Sequence, residues 1–216
     1  DGVRLLVTAG PTREEIDPVR YLSNYSTGKM GYAIARSAAR RGAEVTLISG
    51  PVALSEPAGV RTLQVGSALD MQQAVDENFA GSDVVIKAAA VADYRPVQRA
   101  QQKIKKNSEE LDLQLEKNPD LLAELGKRKK QQILVGFAAE TENLLVNASA
   151  KMQKKNLDMI VANDVTAEGA GFGSETNLVT LLFADGRQET LPLLSKNEVA
   201  ETLLDRVLEL LAKREA

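Results

Sequence analysis

The chain has 216 residues, 44% hydrophobic and 26% charged, with a formal net charge of −3 and neither Cys nor His. That length buries a core without disulfide staples, and the slight negative balance argues against nucleic acid or a membrane surface as partner. Lacking thiolates and imidazoles, the chain is poorly suited to triad hydrolysis or zinc catalysis; it suits reactions driven by positioning and charge neutralisation, such as transfer from a nucleoside triphosphate.

Arg4 to Ala9 (RLLVTA) is a short apolar run ending at Gly10-Pro11, which predicts a buried strand. Asp17 to Gly31 is polar and Gly-bearing, and leads into a helical pattern over Gly28 to Gly42, with Gly42 as the C′ residue. Glu44 to Ile48 predicts the second strand and Val60 to Val65 a weaker one. Ser67 caps a helix to about Phe79, and Asp83 to Ala90 (DVVIKAAA) is the next strand. Val91 to Asn107 reads as a long loop, and Leu111, Leu113 and Leu115 alternate with polar residues as in a half-exposed strand. Asn118-Pro119-Asp120 predicts a helix start with Asn118 as cap. Ile133 to Ala138 is a buried strand, Asn143 to Lys155 a helix and Asp158 to Ala162 the last parallel strand. Asp164 to Thr176 is loop-like, and Leu178 to Phe183 and Gln188 to Leu193 flank a hairpin turn. Ser195 to Glu198 forms a capping box for a C-terminal helix to about Arg214. The expected architecture is α/β: a Rossmann-like, mostly parallel sheet with helices on both faces, followed by a β-hairpin and a helix, in one domain over 1–216. The hairpin offers an apolar edge as a dimer surface. No membrane-length apolar run or signal-peptide pattern is present. The chain starts at Asp1 without Met and reads as a piece of a longer polypeptide.

The motifs narrow the chemistry. Gly10-Pro-Thr-Arg-Glu is not the glycine fingerprint of a dinucleotide site, and no acidic residue ends the second strand. Gly28-Lys29 is followed by Met30, and Ser23 stands where a P-loop needs its first glycine. Tyr25 and Lys29 have the spacing of short-chain dehydrogenases but fall too early, before the second strand. The helix mouth at Ser26-Thr27-Gly28-Lys29 suits an anion, or is simply a capped surface helix. The alanines at 88–90 let backbone amides reach a flat ligand, with Asp93 binding ribose or metal or merely capping a turn. Lys103, Lys105 and Lys106 form a closing flap or a solvated run, and Lys151 and Lys155 share one helix face, either in a site or in solvent.

In order along the chain stand Gly10-Pro-Thr-Arg-Glu, Asp17-Pro-Val-Arg-Tyr, Ser23-Asn-Tyr-Ser-Thr-Gly-Lys-Met-Gly, Ala88-Ala-Ala-Val-Ala-Asp-Tyr, Lys103-Ile-Lys-Lys, Lys117-Asn-Pro-Asp, Val135-Gly-Phe-Ala-Ala-Glu-Thr, Lys155-Asn-Leu-Asp and Val161-Ala-Asn-Asp. The nine blocks resemble phosphopantothenate–cysteine ligase, the synthetase half of the bacterial bifunctional coenzyme A biosynthesis protein. The resemblance implies a CTP-dependent reaction. CTP activates 4′-phosphopantothenate as an acyl-cytidylate with release of pyrophosphate, and cysteine then displaces CMP. It also implies Mg²⁺ (or Mn²⁺), a homodimer, fusion to a flavin-dependent phosphopantothenoylcysteine decarboxylase, and a cytoplasmic location. By the same resemblance, Asn24 and Lys103 are catalytic. CTP is met by Lys87, Ala88, Ala89, Asp93, Lys103, Pro119, Asp120, Leu121, Leu122, Phe137, Lys151 and Lys155. The acyl substrate is met by Arg20, Asn24, Ser26, Thr27 and Gly28, and the metal ligands are not assigned. Three features depart from the family pattern: Thr27 for Ser, Gln101-Gln102 for a Pro-Glu pair, and Lys87 for a small or apolar residue. Lys87 either adds charge to the site or points away from it. A flavin- or nicotinamide-linked oxidoreductase and a non-catalytic nucleotide-binding domain are the rival readings.

Overall fold

A computed structural model describes residues 2–105, 110–140, 144–164 and 169–215. Expectations at Lys106, Asn107, Thr141, Asn143 and the first part of the loop after Asp164 lie outside the described residues. Within them the elements run β1 (Arg4–Ala9), β2 (Glu14–Glu15), β3 (Tyr21–Leu22), α1 (Lys29–Arg40), β4 (Glu44–Ser49), β5 (Val60–Gln64), α2 (Ala68–Phe79), β6 (Val84–Lys87), β7 (Tyr94–Pro96) and β8 (Leu115–Lys117). There follow α3 (Leu121–Arg128), β9 (Ile133–Glu140), α4 (Leu144–Lys154), β10 (Met159–Asp164), β11 (Thr176–Asn177), β12 (Val179–Phe183), β13 (Gln188–Thr190), β14 (Leu194–Ser195) and α5 (Lys196–Glu215).

Eight strands form one sheet in the order β13-β12-β10-β9-β6-β1-β4-β5. The six from β5 to β10 are parallel, and β12 and β13 return antiparallel. The apolar parity of the strands explains why both faces are covered. Leu5, Val7, Ile86, Val135 and Val161 pack with α1 and α5, whereas Leu6, Val85, Leu134 and Ile160 pack with residues of α2, α3 and α4. Chain order reverses between β1 and β6, with β4 on one side of β1 and β6 on the other, so a crevice opens outside their carboxyl ends.

The caps at Ser67 and Ser195 form as expected. Ser67 and Asp70 make a reciprocal box, and Glu198 accepts from the Ser195 amide at 2.9 Å while its own amide donates to Ser195 Oγ at 3.2 Å. Three expectations change. The cap of α3 is Asp120, whose carboxylate accepts from the Ala123 amide. Asn118 instead donates to Ala92 O at 2.8 Å and accepts from Arg95 at 3.0 Å, staying in the loop it braces. The Leu111 to Glu116 alternation has no buried face: Leu111, Leu113 and Leu115 are 52%, 37% and 44% exposed, and only β8 forms, paired with β7 in a small arm of its own. The hairpin does not present an apolar edge, because Val179, Leu181, Phe183 and Leu191 are buried and the edge strand β13 reads Gln-Glu-Thr.

Candidate active site at the carboxyl edge of the sheet

The loop from Asp17 to Gly31 is built around a buried carboxylate. Asp17 accepts from the amides of Val19, Arg20 and Ile104 at 2.8, 2.9 and 3.1 Å and from the Arg20 guanidinium at 2.5 Å. The Arg20 bond, aided by those amides, holds the Asp17 carboxyl well below the usual carboxylate range. Arg20 also donates to Ile104 O at 3.0 Å. Arg20, expected to meet substrate, is thereby anchored to Asp17 and to the base of the Lys103 segment, with its side chain still 38% exposed. Lys103 itself is exposed, next to that anchored residue.

Asn24 joins the loop to the end of β6. Its Nδ2 donates to Ala90 O at 2.5 Å and its Oδ1 accepts from the Ser26 amide at 3.0 Å. Thr27 Oγ1 reaches across to Phe172 O at 2.7 Å. Helix α1 then starts from Gly28 at φ 77°, a left-handed conformation that favours glycine, and no side chain caps it. A Cβ at Gly28 would also stand 2.8 Å from Val52. The first intrahelical bond is Tyr32 N to Gly28 O, so the amides of the first turn open toward the cleft beside them. The Ser/Thr-capped surface helix, one of the two readings of this mouth, is not what forms.

The alanine stretch behaves differently from the expectation. The amides of Ala88 and Ala90 donate to Thr8 O and Gly10 O at 3.2 and 3.0 Å. Those of Ala89 and Ala92 donate to the hydroxyls of Thr8 and Thr12 at 3.2 and 3.0 Å. Residues 88–92 therefore continue the ladder beside β1, and these four amides do not face a ligand. The small side chains contribute room instead.

One open cleft is lined by Ser26, Gly28, Ala88, Phe137, Asn163 and Lys196, among others. It brings three predicted acyl-loop or nucleotide elements together: the α1 mouth, the end of β6 and Phe137 of β9. Sequence reading missed Asn163, Asn177 and Lys196. The buried Oδ1 atoms of Asn163 and Asn177 have no hydrogen-bond partner among the described residues. The Val161-Ala-Asn-Asp block flagged Asn163 without a role, and nothing local distinguished Asn177 or Lys196. Lys29 lines the same cleft but donates to Gly173 O at 2.9 Å and pairs with Glu175 at 2.5 Å.

The remaining predicted cations lie on the opposite face. Lys87 shares strand parity with Val85 and Ala89, so it points toward α3 and α4 rather than α1. Burial, then the neighbouring Lys155, pulls its pKa down from 10.5 to about 8, against Asp120 and Asp93. Lys155 pairs with Asp120 at 2.8 Å. Burial would raise the Asp120 carboxyl, but the Lys155 bond and the Ala123 amide hold it below its ordinary value. Glycine at 126 makes this meeting possible, since a Cβ there would lie 1.9 Å from Lys155 O. Leu121 and Leu122 are buried beneath. Asp93 is exposed, and its carbonyl accepts from Asn118 N at 2.8 Å. Lys151 also bears on Lys87 electrostatically. The Lys87 alternative thus resolves: its charge belongs to the Lys151–Lys155–Asp120 cluster.

Among the described residues no group of three or more acidic side chains could hold a metal ion. A divalent cation that brought most of its own oxygen ligands would need only one carboxylate here, and exposed Asp93 could supply it. No helix among the described residues is long and apolar enough to cross a membrane.

Residues 1–211 match the family described as DNA/pantothenate metabolism flavoprotein C-terminal domain. The coenzyme A biosynthesis bifunctional protein CoaBC of Bacillus subtilis is 51% identical over 208 residues, covering 96% of this chain and 51% of that protein. Its counterpart in Escherichia coli is 47% identical, covering 95% of this chain and 51% of that protein. The chain therefore spans about half the length of these relatives. The crystal structure of the C-terminal domain of a coenzyme A biosynthesis bifunctional protein CoaBC is 47% identical, with a TM-score of 0.86 and coverage of 99% of this chain and 97% of that one.

Proposed function

Since this chain belongs to the DNA/pantothenate metabolism flavoprotein C-terminal domain family, we propose that it is the CTP-dependent phosphopantothenate–cysteine ligase unit of coenzyme A biosynthesis. The unit spans 1–216, acts in the cytoplasm as a homodimer, and is fused in the whole protein to a flavin-dependent phosphopantothenoylcysteine decarboxylase. In the first half-reaction a carboxylate oxygen of 4′-phosphopantothenate attacks the α-phosphorus of CTP. The bond to the β-phosphate breaks and pyrophosphate leaves. In the second, the amine of cysteine attacks the acyl carbon, loses a proton, and CMP departs with the acyl C–O electron pair. Neither step needs a protein nucleophile, which suits a chain without Cys or His.

The observation that carries this reading is that the end of β6 borders two environments. Ala88 lines the cleft with Phe137 and the α1 mouth, while Lys87, one residue earlier, faces Lys155 and Asp120. A nucleotide crossing the strand ends would set its flat base against Phe137 and its phosphates toward Lys87, Lys151 and Lys155, with Lys103 closing from the anchored segment. Asn24, fixed by Ala90 and Ser26, borders the carbonyl carbon between them. Ser26, Thr27 and Gly28 shape the acyl side. Arg20 holds the loop and the base of the flap. Mg²⁺ (or Mn²⁺) travels with the triphosphate and, when bound, neutralises its charge. The test is product formation. CTP, 4′-phosphopantothenate and cysteine should yield 4′-phosphopantothenoylcysteine and CMP, and no amide product with any nucleoside triphosphate would sink the reading.

A further inference from the structure

Lys196 is the first residue of α5, yet the residue is only 6% exposed. Its Nζ donates to three backbone carbonyls of a single turn: Gly171 O at 3.0 Å, Phe172 O at 3.3 Å and Ser174 O at 2.6 Å. An ammonium has three N–H groups and no acceptor, so the set is complete. The Lys196 amide holds the same segment through Glu175 O at 2.9 Å. Burial, then nearby Lys29, lowers its pKa from the ordinary lysine value, and Glu175 opposes that. On its other side the turn is gripped by Thr27 at Phe172 O and by Lys29 at Gly173 O. Gly171 sits at φ 114°, where a side chain is disfavoured, so the turn has no side chain there to pin itself.

We infer that Lys196 is a positioning residue. It is a resident cation that gathers the carbonyls of residues 171–174 and thereby holds the outer wall of the cleft against the Ser26–Gly28 mouth. Without the ammonium, three carbonyls converge with no donor between them, and the wall moves away from Thr27. Phe172 and Gly171 line the cleft, so the displacement reaches the ligand directly. The kinetic part of this inference rests on the proposed ligase function; the structural part does not.

The experiment compares Lys196→Met and Lys196→Ala with the wild-type chain. Amide hydrogen exchange should accelerate about tenfold or more within 169–177 while the central strands keep wild-type protection. The KM for CTP should rise by roughly ten- to a hundredfold with kcat within about threefold, because charged hydrogen bonds to the wall are lost and the chemistry is not. Ethylammonium chloride should restore both readouts in Lys196→Ala, and tetramethylammonium, which has no N–H, should not. Unchanged exchange at 169–177, an equal rise throughout the chain, or no response to ethylammonium would overturn the assignment. Should Lys196→Met fail to fold, Thr27→Val severs the wall from the opposite side. It should give the same faster exchange within 169–177, and unchanged exchange there would overturn the inference. A wild-type chain inert toward CTP would refute the ligase reading while the exchange and rescue arms still decide the role of Lys196.

Discussion

Lys87→Met should make the ligand-free protein more stable and a poorer anion binder. Lys87 titrates at about 8 in the folded chain against 10.5 ordinarily, chiefly through burial and then through Lys155. A drop of that size corresponds to ~3 kcal/mol by which charge on Lys87 disfavours the folded state at neutral pH. The sign follows from proton counting. Between pH 8 and 10.5 the unfolded chain binds the additional proton, so wild-type stability rises with pH across that window; below it the penalty is complete and above it there is none. Met keeps the apolar stem and removes the charge. Thermal unfolding at pH 7 should therefore show a Tm increase of roughly 6–12 °C for a chain of this size, shrinking toward zero as pH passes 10.5. Adding pyrophosphate should stabilise the wild type more than the variant, because a bound polyanion offsets the charge in the wild type alone. A variant no more stable than wild type at pH 7, or a difference that ignores pH, would refute this account of the Lys87–Lys155–Asp120 cluster.

Other perturbations separate the two half-reactions. Asn24→Asp places a carboxylate oxygen against Ala90 O in place of the Nδ2 donor, at a cost of about 1–3 kcal/mol in the acyl-transfer geometry. It should still release pyrophosphate from CTP while losing roughly ten- to a hundredfold in amide formation, and equal loss of both steps would reassign Asn24 to binding or folding. Lys103→Gln should lower pyrophosphate release by about tenfold or more through lost charge on the phosphates, and normal release would remove it from the site. Asp17→Asn should loosen the base of the flap, seen as faster amide exchange at Ile104. In the wild type the low Asp17 pKa means its contribution is present above the ordinary value of 3.8 and lost as pH falls through the folded value, which acid unfolding should reveal.

The architecture was readable because its signals are local. Short contiguous apolar runs, the Ser67 and Ser195 caps and the hairpin turn each specify an element within a few residues. The chemistry-bearing blocks were readable for the same reason, since the loop at 20–28 and the lysine pair at 151 and 155 are contiguous or one turn apart. What could not be read depends on partners distant in sequence. The alanine amides looked free until Thr8, Gly10 and Thr12 were seen to accept them. That Arg20 is shared with Asp17 and Ile104 O was likewise invisible, because Ile104 lies 84 residues away. The side on which Lys87 lies stayed open, because the register of β6 against β9 and the packing of α3 and α4 decide what it meets. The cap of α3 moved to Asp120 because Asn118 is held by Ala92 and Arg95, two contacts invisible in a tripeptide. Lys196 gave no signal, since the turn it holds is more than 20 residues upstream.

The most direct test of the central claim omits cysteine. Mixed with CTP and 4′-phosphopantothenate alone, the protein should release about one pyrophosphate per site and retain an acyl-cytidylate, which added cysteine converts to the amide and CMP. Release of orthophosphate with CDP, or no release with CTP, would contradict it.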